Sequence, residues 1–362
     1  MRILLVNDRA LEGGWGAETY LRRLAEGLQA AGDIVEILAG EVTHRGIGKA
    51  LDVWDPSARR LVARRAAEFR ADVVHHHNVL RELSPSVLGV PVGVPTALTV
   101  HDLRLTGARD HAAGDVRAVP SMVKSRLDRR IARRKVDAAL AVSEPIARAL
   151  RGEGFRGVRV VPVPVDPPVG EPADVRTCRD IVYAGRLAAD KGVDVLVDAF
   201  AAIAAEHVAT RLLIAGAGEE ETSLRARAAR LADRVIFLGR LPGAELSGVL
   251  GRARVVAVPS VPRRRPEGSP LAVVEAAMHG RPVVASDDPG IAALVTALGC
   301  GVTVPAGSVP ALAAALSEAL TDDEGAARYG AAGALAAARQ HSVAAVAAAV
   351  RAVYADLVGA AA

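Results

Sequence analysis

Val161-Pro-Val-Pro-Val-Asp-Pro-Pro-Val-Gly170 carries four prolines in ten residues. Proline fixes φ and lacks a backbone N–H, so the stretch reads as a stiff linker. On either side of it the sequence follows the same pattern. Before it, short apolar runs recur at Ile3–Val6, Ile34–Leu38, Val73–His75, Ala97–Val100, Ala138–Val142 and Val158–Val163. After it they recur at Ile181–Ala184, Leu212–Ala215, Val235–Leu238, Val255–Val258, Pro282–Ala285 and Val302–Val304. Runs rich in Val, Ile and Leu suit strands buried on both faces. Amphipathic stretches lie between them: Leu21, Leu24, Ala25, Leu28 and Ala31 repeat at helical spacing, and Gly32 supplies the stop. The pattern predicts an α/β protein of two facing, Rossmann-like, doubly wound parallel-sheet domains, residues 1–168 and 169–341. A final Ala/Val-rich helix within 342–362 has the first domain as its candidate packing partner. Open α/β sheets bind ligands at the carboxyl ends of their strands, which places the expected site in an inter-domain cleft.

Composition narrows the function. A chain of 362 residues can bury two cores, and 51% apolar residues exclude a disordered protein. Cys178 and Cys300 form no CxxC and no zinc spacing, which points to a reducing compartment without a disulfide framework. Met-Arg-Ile-Leu-Leu-Val-Asn-Asp8 meets an acidic residue too early for a signal peptide. No uncharged apolar run approaches about 18 residues, so no membrane span is expected. A net charge of +4 is modest, and no nucleic-acid partner is expected. Only Lys49, Lys124, Lys135 and Lys191 are lysines among 45 basic residues. The arginine excess looks like a GC-rich coding bias, so an arginine run says less here and a well-placed lysine says more. Met122–Val136 illustrates this: Val123, Leu127 and Ile131 fall four apart among seven basic residues. It reads either as a basic amphipathic helix for an anionic acceptor or membrane surface, or as an ordinary packed surface helix.

The loops after the strands hold the candidate chemistry. After the first comes Asn7-Asp-Arg-Ala-Leu-Glu-Gly-Gly-Trp-Gly-Ala-Glu18, where Gly14, Gly16 and Thr19 occupy the G-x-G-x-x-G frame. The third glycine is missing and the loop is long, which disfavours a dehydrogenase, though a glycine loop can still approach a phosphate or sugar. His75-His76-His77-Asn78 ends the third strand; adjacent side chains point to opposite faces, so acceptor contacts or plain surface are expected before a metal. His101-Asp102 ends the fourth. In the second half, Gly185-Arg186-Leu-Ala-Ala-Asp-Lys191-Gly192 sets two cations at a strand–helix junction, where they can clamp a diphosphate. Ala215-Gly216-Ala-Gly218 and Gly239-Arg240-Leu241 follow the next two strands. Then Glu267-Gly-Ser269-Pro270-Leu271-Ala-Val-Val-Glu275 places two carboxylates eight residues apart. With Pro270 opening a helix, Glu267 lies in the loop, Glu275 in the second turn, and the helix start between them can cradle phosphate. Two solvated glutamates on a surface helix are the plain alternative.

Taken together, Gly13-Gly14, His101-Asp102, Gly185-Arg186 with Lys191-Gly192, Pro259-Ser260, and Glu267-Gly268 to Glu275-Ala276 through Gly280-Arg-Pro-Val-Val resemble the family 4 (group 1) retaining glycosyltransferases, which have the GT-B fold. The resemblance implies that Arg186 and Lys191 bind the donor diphosphate. It gives Glu275 the nucleotide ribose, Glu267 the donor sugar hydroxyls, and Gly14 or Gly16 a place against the diphosphate and acceptor. His101 would contact the donor sugar near its reacting carbon. Gly185, Gly216, Arg240, Leu241, Ser269, Pro270 and Leu271 complete the donor site. The co-substrate would be a nucleoside-diphosphate sugar, a UDP-sugar first, with no cofactor and no metal; no Asp-x-Asp motif is present. The acceptor would be a small molecule, a sugar or a lipid-linked group, and the setting cytoplasmic, at the inner face of the membrane if the basic helix meets it. A nucleotide-sugar 2-epimerase, or a non-catalytic sugar- or membrane-binding protein on the same scaffold, is the alternative. The chain departs from the family pattern at Val163-Pro164, at Ser269 to Leu271, and at Ala292-Ala293.

Overall fold

The computed structural model describes residues 1–7, 16–39, 55–77, 83–101, 119–231, 233–261 and 270–361. It divides into two compact units, Met1–Pro164 with Val343–Ala362, and Val165–Ser342. The division falls inside the proline-rich stretch, ahead of the boundary expected after Pro168.

The N-terminal unit holds a parallel sheet in the order β2 (Ile34–Ala39), β1 (Arg2–Asn7), β3 (Val73–His77), β4 (Thr96–Val100), β5 (Ala138–Ala141), β6 (Val158–Val160). Ile3, Leu4, Leu5 and Val6 are all buried because helices cover both faces. The helices are α1 (Gly16–Ala30), α2 (Pro56–Phe69), α3 (Val119–Lys135), α4 (Glu144–Gly152) and, from the far end of the chain, α12 (Val343–Ala361). Strand β6 stops at Val160, short of the expected Val163, because Pro162 and Pro164 cannot donate to a ladder. Strand β3 runs two residues past its expected end at His75.

The C-terminal unit holds β12 (Gly301–Val304), β11 (Val283–Ser286), β10 (Ala253–Val258), β7 (Asp180–Ala184), β8 (Leu212–Ala215) and β9 (Val235–Gly239), in that order and all parallel. Its helices are α5 (Val193–Ile203), α6 (Glu221–Arg227), α7 (Gly243–Leu250), α8 (Leu271–Met278), α9 (Pro289–Leu298), α10 (Val309–Thr321) and α11 (Asp323–His341). Leu196 and Phe200 of α5, Ile214 of β8 and Leu316 of α10 share one buried cluster. Truncating any of them to alanine would cost about 2–5 kcal/mol.

Both sheets are doubly wound. The order reverses between β1 and β3 in the first and between β7 and β10 in the second. Crevices for ligands form outside the carboxyl ends at such reversals. Within each unit, those ends carry the residues described below.

Helices α12 and α3 bear on two of the expectations. Helix α12 is long and apolar enough to span a membrane by length and composition, with a mean hydropathy of 1.6 over Val343–Ala360. It nevertheless contains Arg351 and Asp356, and Val346, Ala347, Val350 and Tyr354 are buried in the N-terminal unit. Val343 and Ala347 lie against Gly27 of α1, where a β-carbon would come within 2.7 Å of Val343 Cγ1. Arg351 Nε meets the buried Asp33 carboxylate at 2.8 Å, and the Met1 amine meets its other oxygen at 2.8 Å. In α3, the stripe expected through Leu127 is not the buried face. Leu127 is 41% exposed while Asp128, Ala132 and Val136 are buried, and Arg129 pairs with Glu153 at 3.5 Å.

Candidate active site

The C-terminal sheet builds its carboxyl edge from glycines that let backbones touch. A β-carbon on Gly216 would sit 1.8 Å from the Gly185 carbonyl oxygen, one on Gly218 2.1 Å from that of Leu187, and one on Gly192 2.1 Å from that of Pro259. Hydrogen bonds join the same loops: Gly185 N to Ala215 O at 2.9 Å, Leu187 N to Ala217 O at 3.0 Å, Gly216 N to Gly239 O at 2.7 Å, and Val261 N to Asp190 O at 2.9 Å. The turns after β7, β8, β9 and β10 are thus one connected rim. Only glycine permits such approach, and Gly192 in addition holds a left-handed conformation at φ 63°.

On this rim the chain runs from Gly185 and Arg186 through a short 3₁₀ turn, Ala189–Lys191, into α5. Leu187 and Ala188 are buried and pin the turn, and the buried Tyr183 hydroxyl donates to the Arg186 carbonyl at 2.7 Å. Asp190 lies between the two cations, 3.4 Å from Arg186 and 3.7 Å from Lys191. Arg186 is 43% exposed and Lys191 22%. Burial lowers the Lys191 ammonium below its ordinary value; Asp190 opposes that shift, Arg186 adds to it, and Asp288 opposes it. Burial likewise raises the Asp288 carboxyl, which caps α9 through the Gly290 N–H at 2.9 Å. Two cations therefore stand side by side in a half-dry place. That is a favourable setting for a phosphate anion.

Arg240 is exposed beyond β9, with Leu241 beside it. Pro270 stands at the cap position of α8 and gives no side-chain cap; Leu271 is its first helical residue and Glu275 lies half-buried in its second turn. His279 closes that helix, its Nδ1 on the Glu275 carbonyl at 2.7 Å and its Nε2 on Ser247 Oγ at 2.7 Å. The backbone that presents Glu275 is therefore held by α7.

The N-terminal sheet ends in imidazoles. Asn7, His77 and Thr99 align across β1, β3 and β4, with His101 just past β4. His75, His76 and His77 are all buried, which corrects the expectation of acceptor contacts or plain surface: β3 is central, so both of its faces are interior. His75 is bonded at both nitrogens, Nδ1 to Tyr354 Oη at 2.6 Å and Nε2 to Thr99 Oγ1 at 2.8 Å. His77 Nδ1 faces His101 Nε2 at 3.4 Å, and the Tyr20 ring meets His101 edge-on at 4.8 Å. Burial pushes His75 and His76 down to about 3 and His77 well below its ordinary value. These rings are neutral at neutral pH. No group of His, Cys, Asp and Glu among the described residues has the arrangement of a metal site.

Of the residues expected in the site, Gly185, Arg186, Lys191, Gly216, Arg240, Leu241, Pro270, Leu271 and Glu275 lie on the loops and helix start beyond the strands of the C-terminal sheet. His101 lies at the corresponding edge of the N-terminal sheet, and Gly16 is the first residue of α1. Gly14, Glu267 and Ser269 lie outside the described residues. Asp190 and Tyr20 join these residues without a role expected from sequence, and His77 stands inside the site instead of at a surface strand end. Asp190 stands within the quoted motif, four residues after Arg186, a spacing that signals a pair. Tyr20 shows only helical spacing, and nothing local marks it.

Two family models match the chain: "Glycosyltransferase Family 4" over residues 15–168 and "Glycosyl transferases group 1" over residues 178–322. The chain belongs to the group 1, family 4 glycosyltransferases. The chain is 27% identical to the phosphatidyl-myo-inositol mannosyltransferase of Mycolicibacterium smegmatis, over 90% of this chain and 86% of that one. It is 29% identical to the glycogen synthase of Mycobacterium tuberculosis over 72% of this chain, a match that spans 63% of the synthase, less than two thirds of its length. Among solved structures, Anabaena Alr3699/HepE in complex with UDP shares the fold at a TM-score of 0.74 and 19% identity, covering 99% of this chain and 100% of that one. The same protein has been solved with UDP-glucose.

Proposed function

We propose that this glycosyltransferase moves a sugar from a nucleoside-diphosphate sugar, a UDP-sugar first, to an acceptor hydroxyl, with retention of configuration and without a metal ion. The observation that carries the reading is the Arg186–Lys191 pair, held on a glycine-built rim at the sheet's order reversal with Asp190 beside both cations. In this reading the bond between the anomeric carbon and the diphosphate breaks first. The negative charge that develops on the departing oxygen is met by Arg186, Lys191 and the amino end of α8. The acceptor oxygen bonds to the oxocarbenium-like carbon on the face the diphosphate has left, and its proton passes to a phosphate oxygen. No general base is needed, and fixed positive charge does the work a cation would otherwise do. Glu275 holds the ribose, Arg240 and Leu241 flank the base, Glu267 orients the sugar, and His101 offers a ring N–H to a sugar hydroxyl.

The complex of Alr3699/HepE with UDP-glucose supports the choice of donor. The printed names of the relatives, one acting on phosphatidyl-myo-inositol, leave the acceptor's class open between a sugar and a lipid-linked group. A panel of nucleotide sugars, screened for thermal stabilisation and slow donor hydrolysis, tests the donor. The anomeric configuration of the product, read by NMR, tests retention. Acceptor-free conversion at the sugar's second carbon would instead make the protein an epimerase, and no turnover with any donor and acceptor pool would make it a binding protein.

A further inference from the structure

We propose that His77 is a positioning residue, which fixes His101 in the tautomer that carries its proton on Nδ1. The inference rests on the reading of His101 as a contact of the donor sugar and goes further, because it says which atom makes that contact and what sets it.

Two imidazole nitrogens facing each other share one proton, and its direction decides both tautomers. His77 Nδ1 and His101 Nε2 stand 3.4 Å apart. His77 is fully buried and held neutral, so its ring carries a single proton. Its other nitrogen, Nε2, is buried and makes no hydrogen bond. If the His77 proton sat on Nε2, an N–H would be left unbonded away from water. With the proton on Nδ1, only a lone pair is left. Buried N–H groups are rarely orphaned, and acceptors are treated less strictly. The His77 proton therefore sits on Nδ1 and donates to His101 Nε2. His101 must then carry its own proton on Nδ1, and it presents a donor there.

The ring that sets the tautomer is itself held. His77 lies against His75 at 4.2 Å between ring centroids, and His75 is bonded at both nitrogens. Tyr20 packs against His77 at 5.7 Å and against His101 at 4.8 Å. An isolated histidine prefers its proton on Nε2, so the buried neighbour reverses the resting preference. The site thereby offers an N–H to a sugar hydroxyl oxygen without waiting for a tautomer exchange.

The test is a long-range proton–nitrogen correlation spectrum of the full chain, unliganded and labelled with nitrogen-15 histidine, with the His101 signals assigned by their loss in His101→Gln. The expected wild-type spectrum shows a pyrrole-type Nδ1 and a pyridine-type Nε2 on His101. His77→Asn puts an amide donor where Nδ1 was and keeps that pattern. His77→Phe removes the donor and moves His101 toward the Nε2–H form. Release of UDP from UDP-glucose is expected to fall about ten-fold in kcat in His77→Phe and to recover in His77→Asn. A wild-type His101 protonated on Nε2, or a His101 pattern unmoved by His77→Phe, overturns the positioning role even if a variant is unstable. A tautomer that shifts as expected while turnover stays at the wild-type rate keeps the geometry but overturns the sugar contact.

Discussion

A β-carbon on Gly192 would lie 2.1 Å from the carbonyl oxygen of Pro259, so the turn that presents Lys191 can exist only because residue 192 has no side chain. Gly192 also sits at φ 63°, a conformation that costs an L-residue roughly 1–2 kcal/mol before any clash is counted. Gly192→Ala is expected to destabilise the C-terminal unit by about 2 kcal/mol or more and to weaken UDP binding, because the turn must shift. Denaturant unfolding and calorimetric titration with UDP check both effects.

Arg186 is exposed and Lys191 half-dry, so removing either charge should spare the fold and cripple transfer. Arg186→Ala and Lys191→Ala are each expected to lower kcat by roughly 10²- to 10³-fold, about 3–4 kcal/mol of transition-state stabilisation. Wild-type turnover in a folded variant would remove the diphosphate clamp.

Lys191 also gives the site a pH signature. Burial holds its folded-state value below the 10.5 of an ordinary lysine, so between the lowered value and 10.5 the unfolded chain binds more protons. Across that window this group's contribution to stability rises with pH. Binding behaves in the opposite sense: a diphosphate favours the ammonium, so UDP affinity should fall as pH climbs through the same window. Titrations with UDP in wild type and Lys191→Arg check it, since the guanidinium stays charged and should flatten the profile.

Transfer should survive a chelator. If Arg186, Lys191 and the start of α8 neutralise the leaving group, EDTA leaves the rate unchanged. Loss on chelation, restored by magnesium or manganese, would show that a cation shares the task.

Tyr354→Phe should destabilise the N-terminal unit. It deletes the 2.6 Å partner of His75 Nδ1 and leaves that nitrogen buried and unbonded, at a cost of about 1–3 kcal/mol. Thermal unfolding compared with His75→Phe/Tyr354→Phe checks it, because removing both polar groups should cost less than the two single changes summed.

Sequence carried the architecture well because β strands in a covered parallel sheet announce themselves as unbroken apolar runs, and Val161–Gly170 marks where the pattern restarts. Lys191 was legible through scarcity and position. What stayed hidden depends on partners distant in the chain. His75 looks like a strand end because histidine reads as polar, yet Thr99 and Tyr354, 24 and 279 residues away, bond both of its nitrogens and let β3 continue inside. Asp128 shows the same limit: hydrophobicity points to Leu127 as an inward position of α3, yet Leu127 is 41% exposed while Asp128 and Ala132 are buried. Gly192 was read as part of a cation motif; that Pro259 would abut it could not be seen.

The way the chain crosses between its units has a consequence for biogenesis. Val165–Ser342 is continuous and contains every strand of its own sheet, so it can close its core as soon as it has left the ribosome. The N-terminal sheet cannot. Gly27 and His75 wait for Val343–Ala361 to cover them, so the part of the chain synthesised first is completed last, and a nascent chain halted at Ser342 would display a mature half joined to an unfinished one.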